Sequence, residues 1–270
     1  MAVSTNSDFI DFIIPLRERM KFYDKTRPPT DQPKNDATDP ARGIPQGFID
    51  AMIIREEVFV KEQGVPLENE FDDDDQLAFH WVVYASVPAK ANPHSPEIRA
   101  QSEDTNVHGS RRISTSTKMP IGTIRMVPMP YPHPHPNGKY ETAVHKDKEG
   151  YCKLGRLAVI KEFRKAGIAK LLVDTALDFL RRHPYETFAH YDIAAMKNAS
   201  EGAASVDFRG LVLVHSQVGV QKVWRKYGFE TDESMGEWDE EGIKHVGMWK
   251  RLDVEQARKK NTIWLPGGPS

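Results

Sequence analysis

Residues 153–182, KLGRLAVIKEFRKAGIAKLLVDTALDFLRR, decide the fold, because they hold a strand, a turn and a helix in immediate succession. Residues 154–160 form a short run rich in branched apolar side chains, which predicts a strand buried on at least one face. After the turn, apolar residues recur at helical spacing and charged residues fall on the opposite face. His183 and Pro184 end this helix, because a proline disfavours helical geometry in the residue before it.

The turn between this strand and helix is a candidate anion site. It consists of Arg164, Lys165, Ala166, Gly167, Ile168 and Ala169. Small residues let a ligand approach the backbone, and the amides of a first helical turn have no intrahelical acceptor. Together with the helix dipole and two cationic side chains, these amides would hold a pyrophosphate. On its own, such a turn is more often only the start of a helix.

Composition excludes several classes of function. The 270 residues include 37 basic and 39 acidic ones, a net charge of −2, so no overall field favours nucleic acid or an anionic membrane. The single cysteine, Cys152, excludes an internal disulfide, suits a reducing compartment and is more typical of a strand residue than of a nucleophile. Because no leader or membrane-spanning apolar run is present, we expect a soluble cytoplasmic protein, with the nucleus left open.

The chain is predicted to form one domain over residues 1–252, followed by an extension at 253–270. Three polar, proline-rich insertions interrupt the domain, near residues 27–45, 88–118 and 129–151. His133 and His135 lie in the third insertion, but no cysteine or carboxylate stands at ligand spacing beside them. An extended loop is therefore favoured over a metal site.

Hydrophobic periodicity predicts the remaining elements. Strands are expected at residues 9–16, 79–87, 120–128, 188–195 and 209–215, with two more around 235–238 and 245–251. Helices are expected at residues 46–64 and 217–227. The acidic run at residues 68–75 is explained equally well by a capped, solvated turn and by a functional site.

Several of these segments resemble one family. Residues 164–169 fit the R-x-x-G-x-A signature of the GNAT acetyltransferase superfamily, and residues 120–128 resemble its G-T-x-R strand. Residues 54–66, IREEVFVKEQGVP, look like a branch of small GNAT enzymes with a V-F-V-x-E-Q-x-V-P pattern. Residues 215–217, 227–229 and 242–248 resemble the C-terminal motifs of the same branch. The resemblance covers the chain from about residue 48 to 252.

The resemblance implies an α/β (α+β) fold: a mixed, mostly antiparallel sheet of about seven strands, flanked by helices and splayed between strands 4 and 5. Acetyl-CoA would lie in that opening, with no metal. The residues implied to contact acetyl-CoA are Leu157, Ala158, Val159, Arg164, Lys165, Ala166, Gly167, Ile168, Ala169, Gln217 and Trp224.

The resemblance also implies direct attack of an amine on the thioester, with the protein handling the protons. Many family members place a tyrosine where this chain has Trp224, whose indole donates a hydrogen bond but cannot deliver a proton. Tyr227 is a substitute acid, although a core aromatic describes it better. His215 and Glu62 are candidate bases, and each has an equally good structural explanation.

Acceptor sites of the family involve the acidic loop, so Glu70 and Asp72 are expected to contact a cationic acceptor. The resulting hypothesis is an N-acetyltransferase acting on a primary amine of a small molecule, with a protein or peptide acceptor as the alternative. A catalytically weak CoA-binding regulatory module is a second alternative, motivated by Trp224. A homodimer is left open, and neither nucleic acid nor a membrane is expected as a partner.

Overall fold

The computed structural model describes residues 9–32, 43–88, 116–128, 142–145, 150–184 and 208–254, and a single eight-stranded sheet organises them. The strands lie in the order β1, β2, β3, β4, β5, β8 and β6, and β7 pairs with β8 as a hairpin. Their bounds are β1 Ile10–Ile13, β2 Phe79–Pro88, β3 Ser116–Val127, β4 Gly150–Val159, β5 Phe208–Gln217, β6 Glu230–Thr231, β7 Glu237–Glu240 and β8 Ile243–Arg251.

Within the described residues, four α-helices flank the sheet. Their bounds are α1 Gln46–Arg55, α2 Leu67–Glu70, α3 Ile168–Arg182 and α4 Gln221–Lys226. A π-helix at Glu56–Glu62 continues α1, and short 3-10 turns fill several connections. Among the helices of the described residues, none is long and apolar enough to cross a membrane.

Two hydrophobic clusters lie on opposite faces of the sheet. Strand side chains alternate between faces, so Trp81 and Val83 of β2 pack in the cluster under α3, while Val82 and Tyr84 pack in the cluster under α1. Burial of both faces explains why the central strands are almost continuously apolar. The amphipathic pattern of α3 places Leu172, Ala176 and other apolar residues on the sheet.

β4 and β5 run parallel, and their pairing ends partway along. The last paired positions are Leu154 and Val214. Beyond them, β4 stays with β3 as far as Val159, while β5 stays with β8 as far as Gln217. The strands therefore fork, and the opening predicted between strands 4 and 5 is present.

The fold class predicted from the sequence is confirmed: the sheet is mixed and mostly antiparallel, with eight strands where about seven were expected. The second predicted helix, at residues 217–227, is shorter, because a 3-10 turn occupies Val218–Val220. The predicted strand at 188–195, His133 and His135 lie outside the described residues, as do the extension beyond Val254 and most of the three insertions.

Candidate active site

The fork between β4 and β5 opens into a cleft with a cavity volume of about 820 Å³. One wall comes from the π-helix, α2 and the face of β3 and β4. The other comes from the end of β5, from α4 and from the β7–β8 hairpin. Because neither β4 nor β5 has a strand partner on the side facing the fork, a ligand can reach their backbone there.

The first turn of α3 lies at one end of the cleft. Gly167 precedes the helix with φ of +83°, and no side chain caps the helix N-terminus. A Cβ built at Gly167 would meet nothing within 4 Å, so the space in front of the first-turn amides is open. Of the six turn residues, Arg164 and Ala169 line the cleft. This geometry suits an anion bound by backbone amides.

Arg164 ties this turn to β4 and to the π-helix, which belong to the same wall of the cleft. Its Nε donates to the carbonyl oxygen of Val159 at 3.0 Å, and its guanidinium pairs with the carboxylate of Glu62 at 2.8 Å. Glu62, a predicted base, is thus an ion-pair partner of a predicted phosphate ligand. Its carboxylate is therefore already engaged by a cation of the turn.

The stretch of β4 that faces the opening is irregular. Its register with β3 shifts between Thr123 and Arg125, and Arg156 on β4 takes a left-handed φ of +51°. Such a backbone conformation is rare for a residue with a side chain and concentrates at functional sites. Leu157, Ala158 and Val159 follow directly and line the cleft, and their contact with acetyl-CoA stays a prediction.

Gln217 and Trp224 line the opposite wall of the cleft. The side chain of Gln217 donates to Gln63 at 2.9 Å, which bridges the end of β5 to the segment after the π-helix. Trp224 is buried and packs edge-on against Phe229, with 5.3 Å between the ring centroids. Its position in the wall fits a packing role beside a ligand.

His215 lines the cleft and is largely buried. Its Nδ1 lies 3.4 Å from Oε1 of Glu240, which also accepts a hydrogen bond from Trp238 Nε1 at 2.6 Å. Its Nε2 is buried and has no hydrogen-bond partner among the described residues. Because the carboxylate sets Nδ1 as the donor, Nε2 is the nitrogen whose lone pair remains available as an acceptor.

The pKa shifts of His215 and Glu240 agree with the contact between Nδ1 and the carboxylate. Burial and the nearby Lys153 lower the pKa of His215 to about 3, so the imidazole is neutral near pH 7. Burial alone would raise the pKa of Glu240, but hydrogen bonds from His215 and Trp238 lower it below the usual range. The pair is therefore a neutral histidine oriented by a carboxylate anion.

Tyr227, the predicted acid, does not lie in this cleft. It borders a separate surface cavity with Lys170, Arg181 and Lys250, between α3 and β8. The helix containing Trp224 ends at Lys226, so Tyr227 follows it in a turn and points to this other face. The structure does not bring its hydroxyl to the residues expected to meet the thioester.

The acidic run folds into an internal ion network. Arg55 is fully buried, and its guanidinium contacts the carboxylate of Glu70 at 2.5 Å and that of Asp75 at 2.6 Å. Asp72 receives two hydrogen bonds from Arg125 and one from Arg156. Asp72 and Asp75 also form a capping box on the 3-10 turn Asp73–Gln76.

The network engages Glu70 and Asp72, the two residues predicted to contact the acceptor. Glu70 lines the cleft but is 3% exposed and engaged by Arg55, while Asp72 is not among the cleft-lining residues. Both were predicted to contact a cationic acceptor, and the structure instead gives each an internal arginine partner. The reason is that a cluster of carboxylates beside a sheet must be neutralised from within before it can be buried.

The sequence did not predict several charged cleft residues, among them Arg125, Lys153, Arg156 and Glu240. The two arginines had a signal, because six carboxylates in eight residues next to apolar strands require cationic partners. No sequence signal marked Lys153 and Glu240, because each is brought into the cleft by the register of its strand with a neighbouring strand. In the part of the chain that the structure describes, no group of three or more His, Cys, Asp or Glu residues is arranged to hold a metal ion.

Comparisons with known proteins identify related chains. The model of the Acetyltransferase (GNAT) family matches residues 74–201. An uncharacterized N-acetyltransferase, YjcF of Bacillus subtilis, is 26% identical over 201 residues, which cover 74% of this chain and 90% of that protein.

Solved structures to which this chain is similar include two bacterial proteins. ElaA of Escherichia coli is 15% identical with a TM-score of 0.40, covering 76% of this chain and 89% of that one. An acyl-CoA N-acyltransferase from Pseudomonas aeruginosa is 17% identical with a TM-score of 0.42. The match covers 77% of this chain and 92% of that one.

Proposed function

Because residues 74–201 match the model of the GNAT acetyltransferase family, we propose that this chain belongs to that family and transfers the acetyl group of acetyl-CoA to a primary amine of a small molecule. Both substrates would occupy the cleft together, and the amine would attack the thioester directly. The observation that carries this proposal is the shared cleft, in which an uncapped helix N-terminus lies at one end and the same space is lined by His215, whose buried Nε2 has no hydrogen-bond partner among the described residues.

The donor would be held mainly by backbone. The diphosphate would lie on the amides of the first turn of α3, where no side chain occupies the space in front of Gly167. The thiol arm would run along β4 past Val159 and Leu157, where this strand has no partner on the cleft side. A backbone amide at the irregular Arg156 position would face the thioester oxygen and stabilise the oxyanion.

His215 would handle the proton of the acceptor. As the new C–N bond forms, the attacking nitrogen becomes strongly acidic, and Nε2 would take its proton while Glu240 stabilises the resulting imidazolium. A thiol has an ordinary pKa near about 8.5, so the CoA thiolate leaves with little help from an acid. This explains why Trp224 can stand where many relatives place a tyrosine.

The shape of the acceptor side supports a small substrate. Asn69, at α2, donates to Glu241, in the turn of the β7–β8 hairpin, at 2.9 Å. This hydrogen bond joins the two walls across the cleft, and both residues line it. A protein acceptor would require the contact to open, whereas a small amine fits beneath it.

The test is release of free CoA from acetyl-CoA with a panel of amines, monitored by a thiol-reactive dye. The panel contains diamines, amino acids, arylamines and short peptides with a free N-terminus or lysine. We expect turnover with a small amine and none without an acceptor on the timescale of catalysis. Turnover with peptides alone would instead assign a protein substrate.

A matched binding measurement separates the remaining alternative. If calorimetry shows CoA binding while no amine or peptide yields free CoA, the chain is a CoA-binding module without turnover and the transferase proposal fails. A Gly167→Pro variant should lose CoA binding in either case, because proline cannot adopt the left-handed φ found there.

A further inference from the structure

Lys153 lies at the floor of the cleft, where β4 and β5 part. It pairs with Leu213 of β5, one position before the end of the parallel ladder. Its neighbour Leu154 is fully buried in the cluster under α3, so the alternation of strand side chains places Lys153 on the other face, toward the cleft. Among the described residues that line the cleft, it is the one lysine.

Charged groups from several elements act on Lys153. Arg125 on β3 and Arg156 on β4 repel its ammonium, whereas Asp74 beside β3 and Glu240 on β7 attract it. His215 on β5 is close enough for the Lys153 charge to lower the histidine pKa. Burial outweighs the attractive contacts and, with the two arginines, lowers the pKa of Lys153 to about 8.

The consequence is a lysine that is a nucleophile near neutral pH. With that pKa, roughly a quarter of Lys153 is uncharged amine at about pH 7.5, compared with roughly one part in a thousand for an ordinary lysine. A neutral amine inside the cleft is chemically the same kind of group as the external acceptor.

We propose that Lys153 is acetylated by acetyl-CoA bound in its own cleft when no external amine occupies the acceptor side. This inference rests on the proposed function, because that function supplies the donor. Nζ attacks the carbonyl carbon of the thioester, the C–N bond forms, and the C–S bond breaks as CoA leaves. The proton lost by Nζ passes through Nε2 of His215 to the thiolate, so the products are N-acetyl-lysine and CoA thiol.

Acetylation would change the cleft as well as the lysine. It removes the charge of Lys153 and leaves an acetamide at the floor of the acceptor side. The acetylated protein should therefore turn over external amines more slowly, and a bound external amine should protect Lys153. Self-acetylation would then lower the rate of acetyl transfer when the acceptor amine is scarce.

The experiment incubates the full chain with acetyl-CoA in the absence of amines and follows it by intact mass and peptide mapping. We expect one acetyl group, at Lys153, whose rate of formation rises about tenfold between about pH 7 and 9 and levels off. An ordinary lysine would gain about a hundredfold over the same interval without levelling. Excess CoA should suppress the modification, because it competes for the same cleft.

Two variants complete the test. Lys153→Arg keeps the charge without the nucleophile and should abolish the acetyl group at this position. Lys161→Arg, at an exposed position outside the cleft lining, should leave acetylation of Lys153 unchanged. If the Lys153→Arg variant folds poorly, the pH dependence of acetylation measured on the unaltered protein still tests the inference.

Specific results would overturn the inference. Acetylation spread evenly over exposed lysines, or unaffected by excess CoA, would show chemical rather than cleft-directed modification. An unmodified Lys153 in protein that binds CoA and acetylates an external amine would refute this inference and leave the proposed function standing. Absence of both CoA binding and thiol release would remove the donor, so that both proposals fail together.

Discussion

The two walls of the cleft use charge in opposite ways. On the N-terminal wall, Arg55, Arg125 and Arg156 face Glu70, Asp72 and Asp75, and these charges neutralise one another inside the protein. On the C-terminal wall, Glu240 is paired with His215, but the second ring nitrogen of that histidine has no partner among the described residues. The first wall consists of charges that compensate one another, whereas the second retains a ring nitrogen whose lone pair can accept a proton.

The difference teaches that the number of charges is a poor guide to the reacting group. The acidic run is the most conspicuous feature of the sequence, yet its carboxylates are occupied by arginines. The histidine is a single residue at the end of a strand and becomes notable only through what it does not contact. A group available to a substrate is one that the fold leaves unsatisfied.

The largest expected effect is on the C-terminal wall. Replacing His215 with alanine should lower kcat by about 10² to 10⁴-fold, because a positioned general base contributes that much. CoA affinity should stay within about twofold, since the diphosphate site is at the other end of the cleft. Stopped-flow or steady-state thiol release and calorimetry measure the two quantities.

Tyr227→Phe is the matched control for this variant, because Tyr227 borders a different cavity. We expect its kcat to equal that of the unaltered protein. A large loss in Tyr227→Phe together with an active His215→Ala variant would reverse the assignment of roles.

The N-terminal wall should respond in stability instead. Arg55→Met removes the cation that two buried carboxylates share and should lower the free energy of unfolding by about 3–5 kcal/mol. Arg182→Met, which breaks an exposed ion pair with Asp178 on α3, should cost less than about 1 kcal/mol. Urea denaturation of both variants measures the contrast, and equal losses would contradict the distinction between a buried network and a surface pair.

A smaller effect is expected at the turn before α3. Gly167→Ala introduces a Cβ into the space in front of the amides and should weaken CoA binding by about tenfold, or about 1.4 kcal/mol. Gly242→Ala is a close match, since Gly242 has φ of +79° and equally open surroundings but lies in the β7–β8 turn. Both should lose similar stability from backbone strain. Only the first should lose CoA affinity, and equal affinities would argue against the amide site.

The last expected effect is absent near neutral pH and appears only in the pH dependence of stability. Burial lowers the pKa of His80 to about 3, so the folded protein keeps this ring neutral while the unfolded chain takes up a proton near its ordinary value. The unfolded state then binds more protons between about pH 6.5 and 3, and stability falls as the pH decreases through that range. Above about pH 6.5 this residue has no effect on the slope.

The corresponding measurement compares urea denaturation at several pH values for the protein and for a His80→Gln variant. The variant should lack a contribution of up to about 1.4 kcal/mol per pH unit below pH 6.5. Parallel curves for the two proteins would mean that His80 is protonated or exposed in the folded state.

Much of the fold could be predicted because it depends on local patterns. The strand–turn–helix unit around Gly167 combines an apolar run, a left-handed glycine and an amphipathic helix, and all three lie where the sequence places them. The strands at β2, β3, β5 and β8 follow from alternating or continuous apolar runs. The shortening of the predicted helix at 217–227 to α4 was not predictable from periodicity, because a 3-10 turn has nearly the same spacing of apolar residues.

The side-chain constellation depends on contacts between distant segments, which local patterns do not encode. Arg55 reaches Asp75 across 20 residues, and Arg156 reaches Asp72 across 84 residues. Glu240 meets His215 only because β7 and β5 both flank β8. The fork that creates the cleft was expected only through the family resemblance. Its exact position, after Leu154 and Val214, comes from the structure.

The most direct test is a crystal structure of the protein grown with CoA. We predict a diphosphate within hydrogen-bonding distance of the backbone amides of residues 168–170, with the thiol arm between β4 and β5 and its sulfur on the same side of the cleft as Nε2 of His215. Density for CoA at any other surface, or β4 and β5 drawn together so that the opening closes, would contradict the account.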